Sequence, residues 1–178
     1  MNHFLRSTGL SLSLIGTLGC GDDAGGEGAP SLAEGESYLS IEVSGEDLDG
    51  PLLFEGKTDE IGLFIFDGEI SAIASDEIGL ESTSGGFHLG RMTLGIRQST
   101  PGTIDESGFD IDLVVQGFHN EHGTSGYSLR ERDGASSLTV TSVDENHVKG
   151  HFAFDASPTQ GQSTHLVYHV KGSFEMRD

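Results

Sequence analysis

Ile61-Gly62-Leu63-Phe64-Ile65-Phe66-Asp67-Gly68-Glu69-Ile70-Ser71-Ala72-Ile73-Ala74 is the stretch on which the fold turns. Asp-Gly between two apolar runs is among the strongest short-range hairpin signals. A type I′ turn needs positive φ at both central positions, which aspartate tolerates and glycine adopts freely. Glu69 to Ala74 therefore returns beside Ile61 to Phe66. The first run is apolar on both faces, the pattern of a central strand covered on each side. The residues after it, Ala72 to Leu80, also fit a single helical turn.

Outward from this hairpin the same period of two recurs. Leu39, Ile41 and Val43 alternate with Ser40, Glu42 and Ser44, and Asp47-Leu48-Asp49-Gly50-Pro51 makes a turn before the short apolar piece Leu52 to Phe54. Phe87 to Arg97 alternates with a slip near Gly90, so that Phe87, Leu89, Met92, Leu94 and Ile96 share the inner face. Thr100-Pro101-Gly102 is a turn. Ile111, Leu113 and Val115 point inward, with Asp110, Asp112 and Gln116 outside. Tyr127 and Leu129 belong to a strand that ends at Asp133-Gly134, a second hairpin signal, and Leu138 and Val140 open the closing section. No stretch carries a long helical stripe. Nine or ten short strands joined by tight turns imply an all-β fold, an antiparallel β-sandwich or barrel.

Near the end two segments echo each other: Val148-Lys149-Gly150-His151-Phe152-Ala153-Phe154 and Val170-Lys171-Gly172-Ser173-Phe174-Glu175-Met176. In each, valine, glycine, the aromatic residue and the last apolar residue share one face. The glycine makes room for a neighbouring ring or marks a bend. The loop Asp155 to Ser163, with Pro158 and Gly161, lets the two strands pair as a hairpin. Two copies are too few for a repeat protein. From Ser137 to Phe174 the chain resembles the carboxyl-terminal part of β-sandwich lipoproteins of bacterial envelopes, which close with a V-x-G-x-F-x-F strand, a loop and a V-x-G-x-F strand. That resemblance implies a shape and no activity.

The amino-terminal end has a different character. Met1 to Arg6 carries one positive charge. Leu10, Leu12, Leu14, Ile15 and Leu18 follow in a run too short to span a membrane but matched to a cleaved signal. Thr17-Leu18-Gly19-Cys20 resembles the lipobox of bacterial lipoproteins, with threonine where leucine is usual, and Cys20 is the only cysteine. The resemblance implies that residues 1–19 are removed and that Cys20 carries acyl chains, several of which anchor stably to a membrane. Gly21 after the cysteine implies the outer membrane by the enterobacterial sorting rule. Residues 20–36 have almost nothing to bury and read as a tether of roughly 20–25 Å reach. Residues 37–178 then make a single domain, about 142 residues long.

Charge narrows the partners. The net charge is −20, only three lysines occur, and residues 21–60 hold twelve acidic residues against Lys57. Such a field repels nucleic acid, which is excluded as a partner. An envelope protein and, through Cys20, the membrane remain.

Chemistry-bearing groups are sparse. His147 and His151 on one strand of the closing hairpin, and His165 and His169 on the other, form a candidate zinc or copper site. One register sets His151 against His165 and His147 against His169, and a register slipped by four sets only His151 against His169. His119-Asn120-Glu121-His122 is a second, loop-borne H-x-x-H without metalloprotease spacing. Asp47, Asp49, Asp105, Glu106, Asp110 and Asp112 lack the full spacing of a calcium loop. There is no nucleophile elbow, no phosphate-binding glycine loop and no tryptophan platform for sugars. The expected function is therefore a lipid-anchored envelope protein with a non-catalytic structural or binding domain and no cofactor. The alternative is a metal-binding protein or metalloenzyme using the hairpin histidines.

Overall fold

The structure, a computed structural model, describes residues 31–46, 48–74, 77–104, 107–119, 123–131, 136–158 and 166–178. Among them are twelve strands and no helix. In chain order they are β1 (Ser37–Gly45), β2 (Leu52–Thr58), β3 (Ile61–Phe66), β4 (Glu69–Ala74), β5 (Leu80–Glu81), β6 (Phe87–Ile96), β7 (Gly102–Ile104), β8 (Phe109–His119), β9 (Gly123–Glu131), β10 (Ser137–Asp144), β11 (His147–Pro158) and β12 (Tyr168–Arg177). The strand order is β2-β1-β12-β11-β9-β8-β6-β4-β3, antiparallel throughout.

Two antiparallel sheets are joined through β11. Its first half pairs with β10, and its end, from Ala156 to Pro158, passes to β9. On the opposite side β5 pairs with β6, and Ser82 bridges to Phe54 of β2. The Thr83 N–H donates to the Leu53 carbonyl there at 2.9 Å. The pairing is that of a β-sandwich or barrel, with β11 passing between the sheets at one corner and the Phe54–Ser82 bridge linking them at the other. One core fills the interior, built from the alternate residues of the strands, with Leu39, Ile41, Phe54, Met92, Leu94, Leu113 and Phe174 among its most enclosed side chains.

Several local expectations hold. β1 alternates buried and half-buried residues from Ser37 to Val43. Asp67 and Gly68 both have positive φ, 49° and 88°, as a type I′ turn requires. The slip near Gly90 is a register shift between Leu89 and Arg91, where β6 pairs with β8. Others are corrected. β3 is not central: among the described residues it ends the strand order and pairs with β4 alone, and its outer face is open to solvent. Ala72 to Ala74 continue β4 rather than starting a helical turn. Asp133-Gly134 lies outside the described residues, and the strands flanking it do not pair with each other, since β9 joins β8 and β11 while β10 joins β11 and β7.

The echoed motifs explain the register of β11 and β12. Gly150 stands opposite Phe174, and Phe152 opposite Gly172. An antiparallel pair of V-x-G-x-F segments centred on the fourth position sets each glycine across from the other strand's ring. A Cβ on Gly150 would sit 2.6 Å from the Phe174 ring, and one on Gly172 would sit 2.8 Å from the Phe152 ring. The two rings lie 6.3 Å apart, nearly parallel. Phe87 stands over Gly117 in the same way across β6 and β8.

Residues 31–36, expected to be part of a tether, pack against the domain. Leu32 is buried, the Arg177 side chain donates to its carbonyl at 2.9 Å, and Lys57 donates to the Ser31 carbonyl at 2.8 Å. Residues 31–36 therefore belong with the domain.

Candidate functional site

Three surfaces carry the polar or exposed groups of interest. The first is the outer face of β1, β12, β11 and β10. The strand pleat turns Tyr38, Glu42, His147, Lys149, His151, Asp155, His169, Lys171 and Glu175 to this side because their neighbours fill the core. It is laced with cross-strand ion pairs. Lys171 lies 3.1 Å from Glu42, Lys149 lies 3.4 Å from Glu175, and His169 Nδ1 lies 2.6 Å from Asp155. Such exposed pairs contribute little stability each, and they account for charged groups without invoking a ligand.

The three described hairpin histidines, His147, His151 and His169, do not converge. His169 stands opposite Asp155, His151 opposite Ser173 and His147 opposite Arg177, so neither expected register occurs. The glycine–ring pairs hold a different one. His147 and His169 sit at pair positions eight residues apart on β11, roughly 26 Å along the strands. His147 instead contacts Glu175 at 3.2 Å and Asp144 at 3.9 Å. His165 lies outside the described residues, as do Asp47, Asp105, Glu106, His122 and Cys20. His119 ends β8. Asp110 pairs with Arg97 at 3.1 Å, Asp112 is half-buried on the same face, and Asp49 lies exposed in its turn. Among the described residues no three His, Cys, Asp or Glu side chains gather as a metal site.

Tyr38 on this face donates its hydroxyl to Glu55 on β2, and that bond, with partial burial, pushes the phenol up to about 12. A folded value above the ordinary one near 10 favours the folded state fully below that pH, and the benefit is lost as pH rises toward 12. Glu55→Gln should return the Tyr38 titration toward its ordinary value. An ultraviolet titration of tyrosinate, with Tyr38→Phe subtracted to isolate this ring, checks it; an unchanged Tyr38 curve would contradict the assigned cause.

The second surface is an open cavity of about 950 Å³ where residues 31–34, the β10–β11 turn and the end of β12 meet. Glu34, Asp144, Glu145, Glu175, His147 and Arg177 line it. The Ala33 N–H and Lys57 hold the Glu36 carboxyl below its usual range at the neighbouring chain entry. Ser31, the first described residue, lies at this end of the domain.

The third surface was not singled out by sequence. β3 and β4 form a hairpin whose inner residues, Ile61, Leu63, Ile70 and Ala72, join the core. Its outer face exposes Phe64 by 60%, Phe66 by 75% and Ile73 by 43%, the large apolar side chains most open to solvent among the described residues. Asp59 and Asp67 with Glu69 are exposed and Glu60 half-buried around them. Both ends of the hairpin are therefore acidic. The usable signal was the run Ile61 to Phe66 itself, which is apolar on both faces and so demands a cover on its second face.

One buried titratable group lies apart from these surfaces. His88, 7% exposed on β6, meets Glu77 at 2.5 Å and Gln116 at 2.9 Å. Glu77 ties the ring to the segment that enters β5, and Gln116 ties it to β8.

Comparison with protein families, with curated proteins and with solved structures finds no match.

Proposed function

We propose that this chain is a lipid-anchored protein of the bacterial cell envelope, held in the outer membrane through Cys20, whose β-domain binds a partner without catalysis. The observation that carries the binding role is the outward face of the β3–β4 hairpin. Two phenylalanines and an isoleucine stand in water there, on a domain whose other described sheet face is covered by paired charges. Apolar side chains grouped this way on a folded surface mark interaction sites. The lipobox-like Thr17-Leu18-Gly19-Cys20 supports the anchor. The docking of residues 31–36 beside the ends of β1 and β12 supports a domain held by that end, with the Asp67-Gly68 tip at the other end of β3.

The experiment is intact mass and membrane fractionation of the protein from cells, beside Cys20→Ala. The expected mature chain begins at Cys20, is heavier by acyl groups and sediments with membranes. Cys20→Ala should release it to the soluble fraction. An unmodified, soluble wild-type product would overturn the anchored reading.

A further inference from the structure

We infer, building on the binding-module reading above, that β3 is the docking edge for an extended, cationic segment of an envelope partner protein, which adds to the sheet as a further strand. β2, at the other end of the strand order, is bridged to Ser82, whereas β3 pairs on one side only among the described residues. An unpaired edge presents a row of backbone donors and acceptors, and proteins normally protect such edges with proline, inward charges or bulges. Ile61 to Phe66 contains no charge and no proline, and its register with β4 is unbroken. An added strand would satisfy that row, and its alternate side chains would cover Phe64 and Phe66.

Charge selects the occupant. Asp59 and Glu60 precede the strand, Asp67 and Glu69 follow it, and none of the four side chains has an ion pair or hydrogen bond among the described residues. By contrast all three lysines of the chain are paired with glutamates, Lys149 and Lys171 across the other sheet and Lys57 with Glu36 just before β1. Arg97, which follows β6, is engaged by Asp110 and the Ser107 carbonyl, while Arg91 on β6 is exposed on the outer face of this sheet. A partner that brings lysine or arginine to both ends of β3 meets unneutralised carboxylates. A second copy of this acidic chain, or an anionic membrane, is repelled. The strand is roughly 17 Å long, so the partner's cations belong five or six residues apart, with apolar residues alternating between them. Gly95 adds room, since nothing lies within 4 Å of where its side chain would begin on the outer face beyond Ser71.

The test uses the protein as purified from cells and two labelled seven-residue peptides with valine and threonine alternating between the ends. One ends in lysines and the other in glutamates. Fluorescence anisotropy should show the lysine-ended peptide bound at least tenfold more tightly, with affinity falling as salt rises. Phe64→Ser with Phe66→Ser should weaken that binding tenfold or more while the melting temperature stays close to that of wild type. Asp67→Asn with Glu69→Gln should erase most of the preference, and asparagine keeps the positive-φ turn intact. Equal affinity for both peptides, or no binding of the lysine-ended one, overturns the inference. So does a wild-type dimer in sedimentation that Phe64→Ser with Phe66→Ser dissolves, because β3 would then be occupied by a second copy. None of these outcomes bears on the acyl anchor, which the mass measurement decides separately.

Discussion

Gly150→Ala is expected to destabilise the domain by about 3 kcal/mol, the upper part of the range for forcing atoms into a packed interior. The methyl group would begin 2.5 Å from the Thr139 carbonyl oxygen and 2.6 Å from the Phe174 ring. A ring can tilt away. A carbonyl held in the β10–β11 pairing cannot do so without loosening that pairing. Trimming Phe174 to leucine in the same chain should therefore recover only part of the loss. Gly172→Ala meets the Ser40 carbonyl at 2.8 Å and should behave alike. At Gly117 the nearest obstacle is the Phe87 ring, at 2.7 Å, so a smaller cost is expected. Gly95→Ala, with open space around it, should be neutral or stabilise by up to about 1 kcal/mol through the unfolded chain. Urea titration of the four variants gives the order directly. A Gly150→Ala midpoint equal to that of Gly95→Ala would refute the steric account.

These glycines also show what was legible in the chain and what was not. The period of two, the Asp67-Gly68 turn and the slip at Gly90 are local properties, set by pleat sterics and turn dihedrals, and they read directly as antiparallel strands. The register of the last two strands was legible as well, but in the glycines and rings rather than in the histidines. Buried groups determine register because sliding a strand moves its whole core face, whereas exposed imidazoles tolerate any neighbour. Two features had no local signal. Whether an apolar strand is central or at an edge depends on which strands pair beside it, and Ile61 to Phe66, apolar on both faces, reads the same either way. The docking of residues 31–36 runs through main-chain carbonyls of Ser31 and Leu32 together with one apolar side chain, Leu32, and one ion pair, Glu36 with Lys57, too few groups to stand out in a glycine-rich, acidic composition. The candidate binding face was hidden for the first reason. Its aromatic residues sit in a run that suits a core equally well.

The same residue type should give opposite results at the two kinds of site. Phe174→Ala is expected to cost about 4 kcal/mol, since the side chain is 1% exposed and its removal leaves a cavity beside Phe152 and above Gly150. Phe152→Ala should cost a similar amount, because that ring also touches Phe154, with centroids 5.8 Å apart. Against a total stability of roughly 5–15 kcal/mol, either loss takes a large share, and both together would leave little folded protein. Their coupling is better read with leucine. Phe152→Leu and Phe174→Leu should sum to more than the double variant by about 1 kcal/mol, the interaction of two packed rings. Phe66→Ala, by contrast, removes a ring that is 75% exposed and should change stability by less than about 0.5 kcal/mol. Chemical denaturation of the three alanine variants separates the roles. A Phe66→Ala loss as large as that of Phe174→Ala would mean that β3 is covered in the native protein. The apolar hairpin face would then be part of the core and no longer a docking surface.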